Sequence, residues 1–296
     1  MQLSLPWRRG QAKPFDSVPR INWAHPIAQG LYFYVYDAGA CYIDLVSGGC
    51  STQVRLGTTH SNFGTSAFGG GKKLDASNPF SEDFLFLPVS RGASLCGTVL
   101  PYTIGIGVVS VGTQTAASGA SASQADTTLG GSNKIGASFN VNSSAAGKMT
   151  INWFSTFSDF STPLSSKTFQ TYFAIPTSAT AADYYGNGVF ESNHIGLNAT
   201  TGGAGDVGQI IINGDTAGGA GTGGLTGFQM FYAGWNRNLT ATEILQLQID
   251  PWCLLWYPED DIFATLVGVT GPAPPSSFVF STIEQTTWYK TDVEAY

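Results

Sequence analysis

The sequence predicts an all-β protein, an antiparallel β-sandwich, and three observations carry that prediction. Only 11% of the 296 residues are charged, against about a quarter in ordinary soluble domains. Glycine contributes 37 residues and aromatics 13% of the chain, the composition of short strands joined by many tight turns. The third is alternation: Phe228, Met230 and Tyr232 interleave with Gln229, Phe231 and Ala233, the period-2 signature of a strand with two faces. A single sandwich reaches this length, so one main domain is expected, with ample core.

In chain order, residues 1–24 read as an extended N-terminal arm. Pro6, Pro14 and Pro19 punctuate it, and Trp7 and Phe15 are its isolated apolar anchors; such a segment buries no core of its own. Residues 25–258 form the β-domain, with strands expected at 31–36, 83–88, 98–111, 135–142, 148–155, 168–176, 209–213 and 227–235. The small-residue stretches 112–133 and 199–225 read as surface loops or flat strands. Thr240 and Glu243 then make a capping box, with Leu239 and Ile244 placed as a hydrophobic staple. Asp250-Pro251 ends that helix, because the residue before a proline is pushed out of the α region. Trp252, Leu254, Leu255 and Trp256 follow as an apolar clamp. Residues 259–296 form a C-terminal arm. Its stiff spacer, Gly271 to Pro275, leads to a strand-like aromatic stretch carrying Phe278, Phe280, Trp288 and Tyr289. That stretch is too apolar for a free tail, so it is expected to dock on a neighbouring subunit or back on its own domain.

Charge and cysteine content exclude several classes. The formal net charge is −7 with a pI near 4.8, which argues against nucleic acid; Arg8-Arg9 near Lys13 is too small a basic spot to change this. No apolar run approaches eighteen residues and no secretory leader is evident, so no membrane span is expected. Cys41, Cys50, Cys96 and Cys253 lack metal-site spacing and read as reduced, mostly buried thiols, with a Cys41–Cys50 bridge as the competitor. His25, His60 and His194 are scattered, and no Gly-x-Ser-x-Gly occurs. Gly69-Gly-Gly-Lys72-Lys73 fails the phosphate-loop spacing and reads as a turn between strands.

The segment Asn236, Arg237, Leu239, Thr240, Glu243, Ile244, Leu247, closed by Asp250-Pro251-Trp252, resembles the C-terminal end of laminin-G-like, concanavalin-A-type jelly rolls. It is most similar to the versions encoded by tailed bacteriophages. The opening agrees: Trp23 through Leu31, then Asp44-Leu-Val-Ser-Gly-Gly49. The resemblance covers both ends, roughly a third of the chain, and implies a jelly roll closed by pairing its first and last strands. Glycanases of that fold carry paired carboxylates on one strand in an E-x-D-x-x-E run or a close variant, whose i, i+2 alternation puts them on one face for retaining hydrolysis. No such pattern occurs; Glu82-Asp83 and Glu259-Asp260-Asp261 fall at element ends, so no enzyme activity is expected.

The resemblance also raises a structural calcium ion. Asp75, Asp183, Asp206 and Asp215 lie in or near expected loops, but no compact oxygen series assigns the ligands; no other cofactor is implied. For carbohydrate, an exposed aromatic beside amide or carboxylate groups is needed, and Tyr184, Tyr185 and Asn187, with Asp183 adjacent, form the best cluster. Tyrosines packed over a sandwich end are the alternative, and the favoured one. Trp153 and Trp235 read as core.

Two functions follow. The first is a structural virion protein of a tailed phage, decorating the capsid or associated with tail or collar. It would be made and assembled in the bacterial cytoplasm, bind other virion subunits and copies of itself, and use Trp7, Phe15, Phe278, Phe280, Trp288 and Tyr289 as assembly contacts. The second is a glycan-binding adhesin recognising a host surface polysaccharide.

Overall fold

The computed structural model describes residues 18–38, 41–50, 52–53, 63–66, 69–74, 83–86, 101–111, 121–126, 135–142, 147–153, 156–197, 209–214 and 225–256. Its strands are β1 (Arg20–Ile21), β2 (Leu31–Asp37), β3 (Tyr42–Asp44), β4 (Thr52–Gln53), β5 (Phe63–Ser66), β6 (Gly69–Leu74), β7 (Asp83–Phe86), β8 (Thr103–Ser110) and β9 (Ser121–Asp126). They continue as β10 (Ile135–Asn142), β11 (Lys148–Trp153), β12 (Thr156–Pro163), β13 (Phe169–Ser178), β14 (Ala181–Gly186), β15 (Val189–Ile195), β16 (Gln209–Gly214), β17 (Gly227–Trp235) and β18 (Leu255–Trp256). The helix α1 (Ala241–Ile249) lies between the last two.

One sheet runs β12-β11-β10-β9-β16-β7-β4, and the other runs β15-β14-β13-β8-β17-β2-β3 with β5 and β6 attached through β17. Phe139, Met149, Ile151, Trp153 and Phe160 from the first sheet meet Phe33, Val35, Ile104, Ile106, Tyr172 and Tyr232 from the second in one buried cluster. Inner faces of two antiparallel sheets sharing a core define a β-sandwich, and the all-β expectation holds. Trp153 and Trp235 are fully buried, as expected of core residues.

The second sheet is also covered on its outer face. Tyr34, Phe173, Phe231 and Trp235 point there, and α1, through Ile244 and Leu247, helps bury them. β8 makes room for these rings. A Cβ at Gly105 would collide with the Phe173 ring, and one at Gly107 with the Phe231 ring.

The two ends of the domain lock together. β2 pairs antiparallel with β17, and Arg20 and Ile21 pair with Trp256 and Leu255. Trp235 Nε1 donates to the Ile27 carbonyl at 2.7 Å, and Tyr34 Oη to that of Pro251 at 3.2 Å. The capping box forms as expected: Glu243 N–H donates to Thr240 Oγ1 at 3.3 Å and Thr240 N–H to Glu243 Oε2 at 2.8 Å. The helix stops at Ile249, before Asp250-Pro251.

Some elements differ from expectation. Gly69–Leu74 is a strand, not a turn, pairing with β5 and with Gly227-Phe228 of β17. β12, β14 and β15 are strands that alternation did not single out. Cys50 is exposed and Cys41 half-buried, with Cys41 Sγ donating to Cys50 Sγ at 3.3 Å rather than bridged to it. Of the expected arms, residues 1–17 and 259–296 lie outside the described residues, and with them Trp7, Phe15, Phe278, Phe280, Trp288 and Tyr289. Within 18–24, Arg20 and Ile21 form a strand paired with β18 and Ile21 is buried, so that stretch belongs to the domain and not to an extended arm. Among the described residues no helix is long and apolar enough to cross a membrane.

Candidate functional site

The hairpin β14–β15 holds the carbohydrate-type cluster, but not in the arrangement expected. Asn187 at φ 51° and Gly188 at φ 79° make a two-residue turn between the paired residues Gly186 and Val189. An Asn-Gly pair suits the two left-handed positions of a tight hairpin turn. Tyr184 and Tyr185 therefore stand in a strand rather than a loop, and consecutive strand residues face opposite ways.

Tyr184 points inward, and its expected role as an exposed sugar contact is corrected. Its side chain is fully buried, stacked on His194 with ring centroids 4.1 Å apart and on Phe160 at 4.8 Å. Trp153 Nε1 donates to its hydroxyl at 2.6 Å. Burial is the main reason its phenol is pushed well above the usual range. Asn187 is committed to structure as well. Its N–H donates to the Thr171 carbonyl at 2.8 Å, and its Oδ1 accepts from Thr171 N–H at 3.3 Å.

Tyr185 points outward. It lies opposite Phe190 in the register, the two rings 5.5 Å apart at 70°. Phe190 is 51% exposed. The next pair on the same face is Asp183 with Asn193, whose Nδ2 donates to Asp183 Oδ1 at 2.7 Å. Burial and then the Asp183 charge raise the Tyr185 phenol, so carboxylate and ring sense one another. Beyond them Ala181 pairs with Ile195, which is 80% exposed. At the turn end, Leu245 of α1 lies against Gly188. Leu245 and Ile249, four residues apart on one helix face, are both exposed. Sequence reasoning missed Phe190 and Asn193, although Asn187-Gly188 announces the hairpin that places them.

The inward face carries a hydrogen-bonded chain. Tyr184 hydroxyl contacts Ser158, and Ser158 Oγ lies 2.6 Å from His194 Nδ1. Trp153 N–H donates to the Tyr184 hydroxyl, and the direction of the Ser158–His194 bond follows the imidazole tautomer. His194 Nε2 is a buried atom with no hydrogen-bond partner among the described residues. Burial lowers the His194 pKa despite the opposing charges of Glu191 and Asp159. Glu191 sits at a β-bulge in β15 and accepts N–H groups of Ser161 at 2.6 Å and Thr162 at 2.9 Å. It thereby ties the edge strands of the two sheets together. Among the described residues no three His, Cys, Asp or Glu side chains gather as a metal site. Asp75, Asp206 and Asp215 lie outside those residues.

No protein-family profile and no curated protein matches the chain. Solved structures do share its fold. Trypanosoma rangeli sialidase in complex with 2,3-difluoro-KDN superposes with a TM-score of 0.53 at 11% identity, over 81% of this chain and 37% of the sialidase. The same enzyme in complex with sialic acid gives 0.51 at 12% identity, over 76% and 33%. The binding domain of Paraclostridial Mosquitocidal Protein 1 gives 0.49 at 13%, over 74% and 52%. The chain thus spans about a third of the sialidase's length. At these identities the likeness is one of fold.

Proposed function

We propose that this chain is a non-enzymatic structural subunit of a tailed-phage virion, a rigid β-sandwich that assembles through its terminal arms. The observation that carries the proposal is the pairing of Arg20 with Trp256. It sets Arg20 and Ile21 beside Trp256 and Leu255, the first and last strands of the described residues, and the apolar residues proposed for assembly lie beyond them in the sequence. Trp7, Phe15, Phe278, Phe280, Trp288 and Tyr289 are the proposed contacts, with partner subunits or with copies of this chain. At roughly 25 cal/mol per Å2, even a few buried rings supply several kcal/mol before ordering costs. The sequence resemblance at both ends supports the phage assignment, and the lack of an E-x-D-x-x-E run supports a non-enzymatic role. Assembly would take place in the bacterial cytoplasm, away from membrane and nucleic acid. Deleting 271–296 tests this: the domain stays folded and incorporation into particles is lost. Normal incorporation of the shortened chain would refute the proposal.

A second reading, recognition of a host surface glycan, is favoured by a separate observation. Among the described residues, five of the six exposed large apolar side chains, Val189, Phe190, Ile195, Leu245 and Ile249, sit on β15 and α1, and the β14–β15 hairpin also presents Asp183 and Asn193. The two readings are compatible in one virion protein.

A further inference from the structure

We infer that the outer face of the β14–β15 hairpin is a binding site for a neutral saccharide, with Tyr185 and Phe190 as the stacking surface and Asp183 and Asn193 as the hydroxyl partners. The inference rests on the glycan-recognition reading and gives it a place and a chemistry.

A pyranose has a face of C–H bonds and a rim of hydroxyls. Binding it takes an exposed aromatic ring and, within one sugar's reach, groups that both accept and donate hydrogen bonds. Tyr185 and Phe190 are directly opposed, and their 70° angle makes a corner, one ring a floor and the other a wall. Asp183 and Asn193 are the next pair on that face. Two residues along a strand is about 6.5–7 Å, the scale of a single sugar ring. The Asp183 carboxylate offers about four acceptor positions, of which Asn193 Nδ2 takes one. Asn193 keeps a second N–H and its carbonyl oxygen. A hydroxyl, which donates and accepts, finds both functions there.

All four residues stand on strands rather than loops, so little side-chain and backbone freedom remains to be lost on binding. Charge decides the class of sugar. No Lys or Arg occurs between Ala181 and Ile195, where Asp183 and Glu191 are both acidic, and the whole chain carries −7. A sialic or uronic acid meets the Asp183 carboxylate with no Lys or Arg of the hairpin to receive it, so the inference is to neutral hexoses.

The test uses the full-length protein on an array of neutral and sialylated oligosaccharides, followed by calorimetric titration of the strongest neutral binder. The expected result is neutral binding that falls at least tenfold in Tyr185→Ala and Phe190→Ala, and clearly in Asp183→Ala. Trp23→Ala, which removes an aromatic 44% exposed elsewhere, leaves it unchanged. Thermal melts confirm that the variants remain folded. Neutral binding that survives both ring substitutions overturns the site while leaving glycan recognition standing. Preference for sialylated glycans overturns the charge argument. An array with no binder overturns the site together with the glycan reading, without touching assembly through the arms. If Phe190→Ala instead breaks an oligomer into monomers, the face is occupied by a second copy and the inference fails.

Discussion

Arg237 holds Glu243 in a two-point ion pair, with Nη2 2.7 Å from Oε1 and Nη1 3.0 Å from Oε2. The same guanidinium donates from Nε to the Gln29 carbonyl at 2.7 Å and from Nη2 to that of Pro26 at 3.1 Å. One side chain therefore ties the start of the domain to the first turn of α1. Burial works to raise the Glu243 carboxyl, but hydrogen bonds from Arg237 and Thr240 outweigh it and hold it below the usual carboxylate range.

Arg237→Ala is expected to destabilise the protein by about 2 kcal/mol, since charge-assisted bonds to one carboxylate and two carbonyls are lost together. Arg237→Lys recovers little of this, because an ammonium lacks the planar fork. Urea denaturation of both variants reads the difference.

Asp44 explains the Asp-Leu-Val-Ser-Gly-Gly turn in the same terms. Its fully buried carboxylate accepts N–H groups of Tyr34 at 2.9 Å, Val46 at 3.2 Å and Ser47 at 3.0 Å. Asp44→Ala orphans three donors and is expected to cost about 2–4 kcal/mol. Asp44→Asn, which keeps one acceptor oxygen, costs less. Thermal melts rank them.

The capping box and the helix stop were legible because their sequence signals are short, whereas the Arg237–Glu243 pair and the burial of Asp44 needed the structure. The capping box spans four residues, and a proline ends the helix wherever the chain folds. The β14–β15 hairpin was hidden for a physical reason. Adjacent Tyr184 and Tyr185 go to opposite faces, and the bulge at Glu191 breaks the period of two. β9, Ser-Ala-Ser-Gln-Ala-Asp, has no apolar alternation to reveal it; its neighbours β10 and β16 supply its backbone partners. The sugar-type cluster was found at Tyr185 and Asp183, whereas Phe190 and Asn193 needed the register.

His194 makes stability sensitive to mild acid. Its folded-state pKa lies below the ordinary value near 6.5, so the neutral ring is the one the fold favours. That contribution is present above about pH 6.5 and is lost as pH falls through the lower folded value. Protonation puts a charge on a ring stacked on Tyr184 and bonded to Ser158, where burial disfavours it. His25, also lowered by burial although Glu243 opposes it, titrates in the same direction. Denaturation between pH 7.5 and 5 should show the loss, reduced but not abolished in His194→Gln.

Cys41 and Cys50, with sulfurs 3.3 Å apart, are expected to form a disulfide on mild oxidation without unfolding. Closing so short a loop adds at most about 2.5 kcal/mol. Intact-mass spectrometry should show the loss of two hydrogens, and Cys50→Ser should abolish it.

Assembly through the arms and not the sandwich is the proposal most directly open to measurement. Light scattering after size-exclusion chromatography, on the full chain and on one carrying Phe278→Ser, Phe280→Ser, Trp288→Ser and Tyr289→Ser, tests it directly. A defined oligomer for the first and a folded monomer for the second is the expected outcome. Two monomers, or two identical oligomers, would contradict it.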